Sequence, residues 1–157
     1  MRGCRPRRPI GKRGLGTQGL RPTGARLFAM RIQGLQLEGG GEDLPWRGTR
    51  VEGISWLPLW LAAEAPEAGD PSGATVLIRM EPGRGYRPHR HVGGEDVLVL
   101  AGGYRDEFGE YSAGEHVHYQ PGSIHSPIAL GDSASPIGPD NPACILFSCV
   151  PDGIETL

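Results

Sequence analysis

The sequence predicts an all-β protein, a sandwich or barrel of some seven or eight short strands. Three observations carry this. Short apolar runs rich in β-branched residues alternate with turn residues at a spacing of roughly eight to twelve positions. Glycine (26) and proline (15) are plentiful but fall between the runs instead of forming one tract. No segment carries a helical period, and no window of 18 apolar residues exists to cross a membrane as a helix.

In chain order, residues 34–48 are polar and glycine-rich, with room for one short strand. Ile54–Leu61 is apolar and aromatic. Pro58 has no N–H to give a ladder, so this run is expected at a sheet edge with a bend. Trp56 and Trp60 share strand parity there and are expected on one side, at a barrel end or a dimer seam. Residues 64–73 form an acidic loop. Ala74–Met80 reads as a buried strand closed by Pro82-Gly83. Asp96–Ala101 is a β-branched strand, ended by Gly102-Gly103. Residues 104–111 hold Asp106-Glu-Phe-Gly109, a hairpin turn. Glu115–Tyr119, residues 126–130 and residues 143–150 supply further strands, the last two separated by a loop over 131–142.

A length of 157 residues suits one domain with a core. Charge divides the chain in two. Residues 1–31 hold nine of the sixteen Lys and Arg and no acid, and read as a basic, Gly/Pro-rich, disordered tail; Met30 raises the alternative that translation starts there. Residues 32–157 carry 7 basic and 18 acidic side chains, net −11, and form the folded body. So acidic a body repels phosphate, which argues against nucleic-acid binding by the folded part. Cys144 and Cys149 are five apart in one run and should face opposite sides of a strand, too far round to bridge. Three cysteines without a framework suit a reducing, cytoplasmic setting.

The chemistry lies in Gly85-Tyr-Arg-Pro-His89-Arg-His91-Val-Gly-Gly-Glu95, with His125 in Pro121-Gly-Ser-Ile-His125. On a strand His89 and His91 point the same way, while Arg90 points away. Glu95 shares their parity, and its aim depends on a bulge at Gly93-Gly94. His125 follows two strands and a hairpin, so antiparallel meandering can return it to the pair. Three imidazoles and a carboxylate suit zinc, iron(II), manganese, nickel or copper. Four donors can close a tetrahedral site or leave two positions open on an octahedral ion. His116 and His118 share a face and are expected at the surface, a second site being the lesser reading. Arg79 has a parity that could aim it into a barrel toward an anionic substrate, although pairing with a surface acid is the commoner use. Tyr104 and Tyr119 are candidates for substrate contact or for support of the metal.

The stretch 85–102 matches G-x-x-x-H-x-H-x-x-x-E followed by Gly102, and 114–125 matches G-x-x-x-x-x-x-P-G-x-x-H. Together they resemble the two cupin motifs. Residues 89–102, 104–111 and 121–127 resemble more narrowly the ChrR-type cupins. The resemblance implies a double-stranded β-helix, a jelly-roll barrel with an N-terminal strand and loop extension. It also implies one divalent ion held by His89, His91, Glu95 and His125, and a homodimer. It implies two roles: a metalloenzyme of dioxygenase or isomerase type acting on a small carbonyl compound, or a non-catalytic sensor module holding zinc. In the anti-sigma member of the family a separate zinc-containing helical domain binds the sigma factor. Residues 1–31 have one cysteine, no histidine and no helical period, so anti-sigma activity is not expected of them.

Overall fold

The computed structural model describes residues 30–31, 41, 44–62 and 73–157. The tail reading of residues 1–29 and the acidic loop of 63–72 lie outside the described residues. Thirteen strands form among those described: β1 (Met30–Arg31), β2 (Arg47–Gly48), β3 (Ile54–Leu61), β4 (Ala74–Met80), β5 (His89–His91), β6 (Glu95–Ala101), β7 (Gly103–Arg105), β8 (Glu110–Ser112), β9 (Glu115–Tyr119), β10 (Ile124–His125), β11 (Ile128–Ala129), β12 (Cys144–Val150) and β13 (Ile154–Thr156). Seven make one sheet in the order β1-β9-β6-β12-β4-β3-β2, and two three-stranded sheets run β10-β5-β13 and β11-β7-β8. All pairings are antiparallel. The architecture is the expected all-β double-stranded β-helix.

The inner face of the large sheet follows the two-residue alternation of its strands. Val97 and Val99 of β6, Val117 and Tyr119 of β9, Leu146 and Ser148 of β12, and Met80 of β4 are all buried. Val99 and Val117 are 0 % exposed, and each side chain buried to this degree contributes roughly 1.5–3 kcal/mol. Cys144 is buried and Cys149 half-buried, both free, as their opposite parity requires.

The structure departs from the sequence reading at several points. Among the described residues the large sheet includes Met30 and Arg31, the last two positions of the stretch read as tail, which pair with His116 and Glu115. Trp56 and Trp60 do not share a side. The ladder to β4 skips a residue between Pro58 and Trp60, which reverses parity; Trp56 faces inward, and Trp60 is 57 % exposed. The strand expected over 126–130 shrinks to Ile128–Ala129, and a separate short strand that was not expected, Ile124–His125, precedes it. Ile124–His125 joins β5 and Ile128–Ala129 joins β7, with Ser126-Pro127 stepping between sheets. Ile154–Thr156, not anticipated as a strand, pairs with β5.

Candidate metal centre

The HxH pair sits on the middle strand of a small sheet. His89 and His91 are buried and Arg90 is exposed between them, the alternation a strand imposes. His125 lies directly across the ladder from His89, and Ile154 across from His91. Glu95 arrives differently from the bulge expected at Gly93-Gly94. The two glycines carry the chain out of the small sheet, and Glu95 is the first residue of β6 in the large one. Gly94 has φ +90°, where a Cβ would also stand 2.8 Å from the Tyr119 carbonyl oxygen. Only glycine takes that turn without strain.

The four side chains converge. One donor atom from each of His89, His91, Glu95 and His125 lies within 4.8 Å of the others, and all four residues are buried. Nε2 of His125 is 2.9 Å from Nε2 of His89 and 3.9 Å from Oε2 of Glu95. Nε2 of His91 is 2.9 Å from Glu95 Oε2.

The outer nitrogens decide the tautomers. His89 Nδ1 lies 2.9 Å from the Arg87 carbonyl, which can only accept, so Nδ1 carries the proton. Ser123 Oγ donates to the Gln120 carbonyl, and therefore accepts from His91 Nδ1 at 3.0 Å. His125 Nδ1 donates to Asp106 Oδ2 at 2.8 Å. With Nδ1 donating outward in each ring, the neutral tautomer is the one that turns an unprotonated Nε2 inward, the orientation that outer partners impose on metal-binding imidazoles. Two lone pairs facing each other at 2.9 Å repel unless a cation or proton lies between them. His91 Nε2, wholly buried, has no hydrogen-bond partner among the described residues despite its nearness to Glu95. A buried polar atom left unpaired costs about 1–3 kcal/mol. The donor set fits one divalent ion on both counts.

Electrostatics agree with that fit. Burial holds His89 well below the ordinary imidazole value, at about 4, so the ring stays neutral and able to coordinate. Burial alone would raise the Glu95 carboxyl. A proton on the inward Nε2 of His91, 2.9 Å from Oε2, the hydrogen bond that Ser148 Oγ donates to Oε1, and positive charge at His125 outweigh it and lower the carboxyl's pKa; a divalent ion would supply the same positive charge in place of those protons.

Asp106 was visible in the sequence only as a turn residue. Its Oδ1 accepts from the Phe108 and Gly109 amides at 2.8 and 3.1 Å, which builds the hairpin. Its Oδ2 accepts from His125 and from the Tyr119 hydroxyl. Burial opposes its ionisation, but the hydrogen bonds from His125, Tyr119 and the Phe108 amide lower its pKa. The Tyr119 ring lies against His125 and His91, with centroids 4.3 and 5.1 Å away. Tyr104 shares a 2.7 Å hydroxyl contact with Tyr119. Since the Tyr119 proton goes to Asp106, Tyr104 is the donor in that contact. Asp106→Asn is expected to weaken metal affinity about 10–100-fold. Competition for zinc against a chromophoric chelator measures it; unchanged affinity would show that Asp106 does not steer His125.

A cavity of about 800 Å³ opens onto the cluster. Trp56, Ile78, Met80, Leu146 and Tyr104 form part of its wall, with His89, Glu95 and His125 at its base. His91 is fully buried behind them. Arg79 is not among the residues that line the cavity. Ile78 and Met80 hold the inward positions of β4, so Arg79 faces the other side of the sheet, where its Nη1 is 3.3 Å from Glu81. Among the described residues the arginines on the cavity are Arg50 and Arg87, to which the sequence reading gave no role. Ser148 was missed too, though a lone hydroxyl at an inward position of an apolar strand was a signal. His116 and His118 lie on the outer face, each 3.0 Å from one Asp96 oxygen.

An antiparallel β-barrel with three imidazoles and one carboxylate inside it defines a cupin with a candidate metal centre. The chain belongs to the ChrR cupin-like family, whose model matches residues 40–135. Among solved structures it is similar to a chain of the Rhodobacter sphaeroides complex of SigE with the anti-sigma ChrR. That match has 25 % identity and a TM-score of 0.51 over 69 % of this chain and 49 % of that one. The likeness therefore spans about half of that chain's length. An RmlC-like cupin protein from Ralstonia eutropha shares the fold at 22 % identity and TM-score 0.51, over 74 % of this chain and 69 % of that one. No curated protein matches the sequence.

Proposed function

We propose that the protein is a metal-dependent enzyme acting on a small carbonyl compound, with His89, His91, Glu95 and His125 as the ligands of one divalent ion. The observation that carries this is the meeting of three inward-facing Nε2 atoms and an ionised carboxylate at the base of a largely apolar cavity. A structural staple needs no cavity. A bound zinc or iron(II) ion, or manganese or nickel, would act as a Lewis acid toward a carbonyl, and iron(II) would add oxygen chemistry. The chain's own residues do the rest. The apolar wall excludes water, Ser148 ties one Glu95 oxygen and leaves the other facing the cluster, and Tyr104 lines the cavity with its hydroxyl bound to that of Tyr119. Reaction type, dioxygenase or isomerase, follows from the metal supplied. A homodimer in the cytoplasm is part of the same proposal.

The test is oxygen uptake by iron-loaded protein with a panel of β-diketones. Uptake above that of the metal-free protein is expected for at least one of them. Silence across the panel, with metal bound, favours the second reading, a zinc-holding sensor module without turnover. That reading draws on the likeness to the anti-sigma complex, which covers only about half of that chain.

A further inference from the structure

We infer that the cavity takes a ligand with a carboxylate at the end remote from its metal-binding group, and that Arg50 and Arg87 receive that carboxylate. This rests on the reading above of the cluster as a carbonyl-binding metal centre.

The argument begins with how few cations the folded body has. Residues 32–157 hold seven arginines and no lysine against eighteen acids. Two of these arginines are matched locally: Arg79 with Glu81 at 3.3 Å and Arg84 with Glu52 at 3.0 Å. Arg50 and Arg87 both line the cavity, both are exposed, and neither has an ion-pair partner among the described residues. Among the described residues the only acid on the cavity is Glu95, engaged with His91 and Ser148. The cavity of a strongly acidic protein thus has a cationic rim, an apolar wall and a metal-ligand floor.

The two arginines come from separate segments. Arg50 lies in the loop between β2 and β3. Arg87 lies in the segment leading into β5, two residues before His89, and its carbonyl fixes the His89 ring. Two exposed arginines lining one cavity suit a planar carboxylate, because a guanidinium presents paired N–H donors in a fork matched to its oxygens. A ligand that satisfies floor, wall and rim has an oxygen chelating group, a short apolar spacer and a terminal carboxylate.

A matched pair of probes separates these elements. Heptane-2,4-dione and 4,6-dioxoheptanoate have the same chain and the same β-diketone, and differ only in a terminal methyl against a carboxylate. Each is titrated into zinc-loaded full-length protein, with fluorescence of the cavity-lining Trp56 or heat as the signal. The carboxylate is expected to bind at least ten-fold more tightly, with an advantage that shrinks as salt is added. In Arg50→Gln and Arg87→Gln the advantage should fall toward unity while zinc content stays at one equivalent. Equal binding of the two probes by the unaltered protein overturns the anion site and leaves the carbonyl reading standing. An advantage that survives both substitutions overturns the assignment to these arginines. If neither probe binds zinc-loaded protein, the carbonyl reading itself fails and the anion site with it.

Discussion

His91→Ala is expected to abolish stoichiometric metal binding. His91 is 0 % exposed, and its Nε2 lies 2.9 Å from Glu95 with no hydrogen bond to satisfy it. The substitution removes a donor that no neighbouring side chain replaces, since Ile154 and Ser123 flank the position on the small sheet. Stability should respond in step. A ligand that binds only the folded state at about 1,000 times its dissociation constant stabilises by about 4 kcal/mol. For a chain of this size that is on the order of 10 °C in melting temperature. Chelator should therefore lower the melting temperature of the unaltered protein by about that much, and change His91→Ala very little. In the metal-free state the two proteins should differ less, because the substitution also removes the unpaired nitrogen and its cost offsets part of the cavity left behind. Elemental analysis decides the matter: a full equivalent of metal in His91→Ala refutes the ligand set.

The second large effect is on pH. His89 is held at about 4 in the metal-free fold, against about 6.5 for a free imidazole. Below pH 6.5 the unfolded chain takes up a proton that the folded chain refuses until pH 4. Stability is thus fully present above 6.5 and is lost as pH falls from there toward 4. At about 1.4 kcal/mol per pH unit the loss approaches roughly 3 kcal/mol. Glu95 acts in the same direction, since its carboxyl is lowered in the fold and its contribution disappears on acidification. Metal steepens the profile, because protons compete for the lone pairs that coordinate. Melting temperature and bound zinc, followed together from pH 7.5 to 5, should fall in parallel. A flat zinc content over that range would contradict coordination by three imidazoles in exchange with solvent.

The ladder of strands could be seen in the sequence because apolar alternation and turn residues are local signals. His89 and His91 were legible as a pair since two-residue spacing on a strand fixes their common side. The hairpin at Asp106–Gly109 was legible for the same reason, its turn being closed by Asp106 itself. What stayed hidden depends on contacts between distant segments. Nothing local says that Asp106, having capped its turn, spends its other oxygen on His125 nineteen residues away. Nothing local says that Glu95 changes sheets, because that follows from where β6 finds its partners. Arg79 misled because parity within one strand does not say which face is inside. Trp60 misled because a one-residue bulge erases parity altogether.

The division of the four donors between two sheets bears on how the protein would mature. His89, His91 and His125 stand on the small sheet, whereas Glu95 begins a strand of the large one. In an unclosed chain the Glu95 carboxylate is tethered near His91 but not held at the imidazole cluster, so tight capture of a cation would wait for the two layers to meet. Any choice among divalent ions would then fall at that moment, to whichever ion the surroundings supply as the walls come together.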